Sequence, residues 1–114
     1  MSSYQHGLAG EAQAISYLKQ MGLEVLATRY RAEGGEIDII AREGEVLCFI
    51  EVKYRAQGRL GDGLLSVTAD KRRRLEKAAR AYLSQEKRSK RWRFDTLEIT
   101  RAGIWYARHA SRSD

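Results

Sequence analysis

The 114-residue chain has no proline, only one cysteine, and no apolar run longer than a few residues. With Cys48 alone, and inside an apolar stretch, neither an internal disulfide nor a thiolate metal cluster can form, so any metal must be held by oxygen or nitrogen. The longest apolar run, VLCFI at 46–50, falls far short of the roughly 20 residues that cross a bilayer. The opening MSSYQHGLAGEA has neither the cationic start nor the apolar core of a signal peptide, so a cytoplasmic protein with no membrane partner is expected. No proline, repeat or low-complexity segment marks an internal boundary. One domain over 1–114 is expected, with a core over 6–109 and a frayed tail at 110–114.

Charge is abundant but uneven. The chain carries a formal +6, yet residues 71–93 hold 11 basic and 2 acidic side chains while 1–70 hold 7 and 10. One 23-residue segment therefore exceeds the whole surplus. Such a block is either a solvated helix face or a polyanion-binding surface.

Periodicity orders the elements. Ala12, Ile15, Leu18 and Met21 recur at helical spacing and predict a first helix over 7–21, closed by Gly22. Strands are predicted over 23–31 and 36–42, and over 45–55, whose apolar first half suits a central strand covered on both faces. A hairpin turn is expected at Glu43-Gly44, and a mobile loop over the glycine-rich 56–66. A second helix, capped by Thr68 and ending by Lys87, carries Leu75, Ala78, Ala79, Tyr82 and Leu83 on one stripe. Strands over 92–100 and 104–108 complete an α/β order of α, β, β, β, α, β, β.

The expected turn pairs Arg42 with Glu45 and Asp38 with Phe49, which puts Glu36, Asp38, Glu51 and Lys53 on one face. Asp38 and Glu51 then become diagonal neighbours whose carboxylates can reach one small cation. Glu11 lies four and seven residues before Ile15 and Leu18, so it faces the protein. Acids held this close repel unless protons or a divalent ion neutralise them. By themselves Glu51 and Lys53 equally read as a salt bridge. Oxygen ligands suit Mg²⁺ or Mn²⁺, with Lys53 beside a metal-activated water and a phosphodiester as substrate. Lys71, Arg72, Arg73 and Arg74 occupy the second helix's first turn, where its dipole disfavours cations and a docked phosphate backbone would compensate. Lys71 falls on the inward stripe, able to reach the acids, while the arginines point outward.

The helix glutamate Glu11, GEID at 35–38, FIEVKYR at 49–55, VTADKRRRL at 67–75 and RFD at 93–95 together resemble the YraN-like family of bacterial proteins. The order of Glu, Asp and ExK is similar to the PD-(D/E)xK, or restriction-endonuclease-like, superfamily, and especially to archaeal Holliday-junction resolvases. The resemblance spans about 7–99. It implies a mixed central sheet flanked by helices, with Asp38, Glu51 and the Val52 carbonyl as metal ligands, Lys53 as catalytic lysine and Glu11 assisting a metal or its water. Glu36 is a secondary candidate, and Arg29, Arg31 and Arg55 join the cations of the second helix as nucleic-acid contacts. The family usually has asparagine where Arg29 stands, and often an aromatic where Leu60 stands.

The expectation is thus a Mg²⁺-dependent endonuclease acting on DNA, branched or otherwise structured, with a homodimer implied by the likeness to resolvases. Two alternatives stay open: a catalytically silent nucleic-acid-binding module that keeps the site residues, and a basic RNA-binding or ribosome-associated domain whose acids only form salt bridges.

Overall fold

The computed structural model describes residues 3–54, 69–87, 91–109 and 112–113. Thr68, Leu60, Arg55 and the glycine-rich 56–66 lie outside them. The elements run α1 (Ser3–Gln20), β1 (Glu24–Ala32), β2 (Gly35–Glu43), β3 (Val46–Tyr54), α2 (Ala69–Gln85), β4 (Arg91–Thr100), β5 (Gly103–Arg108) and β6 (Arg112–Ser113). They form the expected α/β fold, a mixed sheet ordered β1-β2-β3-β4-β5 with a helix on each face. The apolar β3 is central, antiparallel to β2 and parallel to β4, and α2 belongs to the crossover that a parallel pair requires.

Each helix covers its own face. Ala14 and Leu18 of α1 pack on Ile39, Ala41, Cys48, Ile50 and Leu97. Ala78 and Ala79 of α2 pack on Ile37, Ile40, Leu47, Phe49 and Trp92. The α1 stripe is rotated from the expected one: Ala12 and Met21 are exposed, and Ala14 and Leu18 are the buried pair. The expected stripe of α2 holds, with Ala78 and Ala79 buried and Leu75, Tyr82 and Leu83 packed beside them. The tail expected to fray contributes β6, whose Arg112 pairs with Trp92 of β4.

The β2–β3 turn falls one residue later than expected. Gly44 has φ 60° and Glu45 is not left-handed, so the turn is Gly44-Glu45 with glycine at the first central position, the type II′ pattern. Arg42 therefore pairs with Leu47, not Glu45, and Phe49 with Ile40, not Asp38. The slip is by two residues and preserves parity. At the β1–β2 hairpin, Glu33 and Gly34 are both left-handed, φ 55° and 80°, as a type I′ turn demands.

Face alternation breaks at two points that parity cannot foresee, a bulge at Leu26 between Val25 and Ala27 of β1 and the step at Asp38. Asp38 is the one β2 residue bridged to neither neighbouring strand: β1 pairs Thr28 with Ile39 and Tyr30 with Ile37, and the β3 ladder stops at Ile39–Ile50. Across this gap the sides exchange. Ala27 and Tyr30, three residues apart, both pack on the α2 side, as do their partners Ile40 and Ile37.

Candidate metal and nucleic-acid site

The site forms where β2 and β3 part. Freed from both ladders, the Asp38 carboxylate accepts a 2.8 Å hydrogen bond from the backbone N–H of Val52, filling the place of a ladder acceptor. Asp38, Val52 and Tyr54 line a cleft of about 400 Å³ with Gly10 and Glu11 of α1. Glu51 and Lys53 alternate with Phe49 and point to the α2 side, where Lys53 Nζ lies 3.1 Å from a Glu51 oxygen and Lys71 Nζ contacts the same oxygen. The single-face expectation therefore holds for Glu51 and Lys53 only. Asp38 lines the cleft beside α1, and the Val52 amide that it accepts from follows Glu51 in β3.

Burial is the largest influence on Asp38 and holds its carboxyl above the ordinary range. Glu51 and Glu36 push the same way, against the Val52 N–H and Lys71. Glu51 is only 11% exposed in its side chain, and its cations neutralise it. Of those two lysines, Lys53 is depressed, by burial first and then by Lys71. Lys71 is raised: burial pulls it down, but its bond to Glu51 prevails. The salt-bridge account of Glu51 and Lys53 is thus realised, with Lys71 added.

The remaining acids are also engaged. Glu11 lies on the inward side of α1 as expected and accepts a 2.8 Å bond from Arg29 Nε. Glu36 accepts one of 2.8 Å from Arg31 Nε. Among the described residues, no three of Asp, Glu, His and Cys converge as a ready-made metal cage. Lys71 is half-buried while Arg72, Arg73 and Arg74 are exposed, the division expected from the helical stripe. Arg31, Lys71 and Arg74 line a cleft of about 590 Å³ between the β1–β2 hairpin tip and α2. Gly35 makes this approach possible, since a Cβ there would stand 2.3 Å from the Arg74 carbonyl oxygen.

Two polar features escape a reading of motifs. Glu98 is fully buried and neighbours Lys53 in the parallel ladder; an acid between Leu97 and Ile99 in an apolar strand is the signal for it. At the other end of β3 lies a second network. Buried Asp95 accepts from both Arg93 Nε, at 2.9 Å, and the Tyr106 hydroxyl. Glu43 accepts from Arg93 and Arg108 at 2.6–2.9 Å. Every acid of this network is paired, which marks it as a brace for β4 and β5.

A family model described as "Uncharacterised protein family UPF0102" matches residues 10–99. The chain is similar to a UPF0102 protein of Klebsiella pneumoniae, 43% identical over 111 residues, covering 95% of this chain and 87% of that one. It is similar to another of Desulfitobacterium hafniense, 45% identical over 104 residues, covering 87% and 85%. A third, of Geobacter metallireducens, is 40% identical over 98 residues, covering 85% and 80%. Among the described residues no helix is long and apolar enough to cross a membrane.

Proposed function

The chain belongs to the UPF0102 family, and from that premise we propose that it is a cytoplasmic, metal-dependent endonuclease that binds DNA, branched or otherwise structured, and hydrolyses a phosphodiester bond. The observation that carries this reading is the Asp38 carboxylate bonded to the amide of Val52, the residue after Glu51, where β2 and β3 part, with two lysines on Glu51 and the basic first turns of α2 alongside.

Asp38, Glu51 and the Val52 carbonyl are the donors for Mg²⁺ or Mn²⁺. Two carboxylates and a carbonyl suit a hard ion that keeps several waters. Asp38 supports the fit: its buried carboxyl, crowded by Glu51 and Glu36, is the kind of group that a divalent cation relieves. When bound, the ion supplies Lewis acidity at a phosphoryl oxygen and a more acidic water. Lys53 orients the attacking water and stabilises charge growing on the phosphoryl group. Glu11, held by Arg29 at the rim of the same cleft, accepts a hydrogen bond from water entering it. Lys71 and Arg72–Arg74 hold flanking phosphates at the helix terminus, and Arg31 extends that track along the hairpin tip. Cutting two strands of one junction requires two copies of the chain.

The experiment is divalent-dependent cleavage of a four-way DNA junction, a nicked duplex and an intact duplex. Cleavage should require Mg²⁺ or Mn²⁺ and fall on the order of a hundredfold in Asp38→Ala and in Lys53→Ala while binding persists. Cleavage that both variants retain refutes the assignment. A second reading, a silent DNA-binding module, draws on the two ammonium groups already neutralising Glu51; junction binding with no cleavage under any divalent ion selects it.

A further inference from the structure

We propose that Arg29 is the positioning residue of the site, its left-handed backbone turning Asp38 out of the sheet and its guanidinium holding Glu11 beside it. Arg29 has φ 53° in the middle of β1. Within the register of that ladder it stands across from Asp38, at the unpaired step between Thr28–Ile39 and Tyr30–Ile37, apart from the bulge at Leu26 nearer the start of the strand. Both strands exchange faces at this step, since Ala27 and Tyr30 pack on the α2 side together with Ile40 and Ile37. A left-handed residue on one strand breaks the alternation, because it leaves the extended region whose half-turn per residue sets it. The partner strand must follow to keep Tyr30 on Ile37. Asp38 is the residue turned out, and its carboxylate reaches the Val52 N–H, 2.8 Å away. The side chain of Arg29 leaves on the same side, where Nε lies 2.8 Å from Glu11. Backbone and side chain of one residue therefore set two acids of the cleft. Asparagine tolerates the same conformation.

The role of Asp38 and Glu11 as ion-binding acids rests on the proposed function, whereas the turning-out of Asp38 does not. Two readouts on the full chain keep them apart: the amide ¹H–¹⁵N shift and exchange rate of Val52 without metal, and Mn²⁺ affinity by electron paramagnetic resonance. Arg29→Gly and Arg29→Asn should leave the Val52 amide within twofold of its native exchange rate. Arg29→Val, β-branched and averse to left-handed φ, should speed that exchange at least tenfold and weaken Mn²⁺ binding to match. If Arg29→Val does not fold, Arg29→Ala replaces it, with the same order expected relative to Arg29→Gly. A folded Val or Ala variant whose Val52 amide matches that of the Gly variant overturns the proposal. Absence of Mn²⁺ binding in the native chain removes the metal reading and leaves the amide comparison to decide the positioning. For the side chain, Arg29→Lys should restore Mn²⁺ affinity lost in Arg29→Asn; equal affinities in the two would overturn the hold on Glu11.

Discussion

Replacing Gly35 with alanine measures how the hairpin carrying Asp38 is seated against the helix carrying Lys71. Gly35 is not in the left-handed region, so its need is for space and not for backbone freedom. An added Cβ would lie 2.3 Å from the Arg74 carbonyl oxygen, 2.9 Å from its carbon and 3.4 Å from the Ala78 Cβ. Carbon–oxygen contacts of this kind settle near 3.3–3.6 Å, so β2 and α2 must separate by about 1 Å. Both clashing atoms on the helix are backbone, which no rotamer change can move. Overpacking costs about 1–3 kcal/mol, and the upper half applies here because Ala78 and Ala79 lose contact with Ile37 and Phe49 as the helix lifts. A domain of this size should then melt about 10 °C lower. Gly34→Ala is the control: it adds a Cβ with nothing within 4 Å, at φ 80°, and should cost only the roughly 1 kcal/mol of left-handed strain. Thermal melts by circular dichroism give the two shifts. The near-ultraviolet bands of Tyr82, whose ring packs edge-on to Tyr30 at 5.3 Å and to Phe49 at 6.2 Å, should change in Gly35→Ala alone. A Gly35→Ala protein melting within about 2 °C of the native one, with its aromatic bands intact, would show that α2 does not rest on the hairpin.

Lys71→Met removes an ammonium group from Glu51 that a divalent ion must otherwise displace. Mn²⁺ affinity by calorimetry should rise about fivefold, roughly 1 kcal/mol, while DNA affinity falls and its salt dependence flattens by about one phosphate contact; unchanged or weaker Mn²⁺ binding would contradict the competition. Glu43 is held down to about 2 from 4.5, first by its hydrogen bond to Arg108 and then by Arg93. Its folded value lies below its unfolded one, so its stabilisation is complete above about pH 4.5 and is lost as pH falls through about 2. Urea midpoints of the native chain should decline through that window, and those of Glu43→Gln should start lower and decline less; parallel curves would exclude Glu43 from acid unfolding.

Much of the fold is legible in local spacing. The inward stripe of α2 and the two-sided burial of β3 follow from helical period and from an uninterrupted apolar run, both properties of the backbone alone. Misplacing the β2–β3 turn by one residue moves every pair along the ladder without changing parity, because Gly44 satisfies either turn position until the strands meet. The break at Asp38 is a different case. Alternation assumes that each residue continues its strand, and nothing in RYR or EIDII announces that Arg29 departs from that rule.

By itself, the sequence determines that two carboxylates and a lysine flank the second β-turn and that a basic helix follows them, since composition and order survive any folding. Only the tertiary structure decides where the acids point. Asp38 leaves the sheet because a left-handed residue on the neighbouring strand turns both chains together, and Glu51 gains Lys71 because α2 crosses back over β3. Such choices are made between segments distant along the chain, where the energy of packing one strand on another outweighs the preference of either alone.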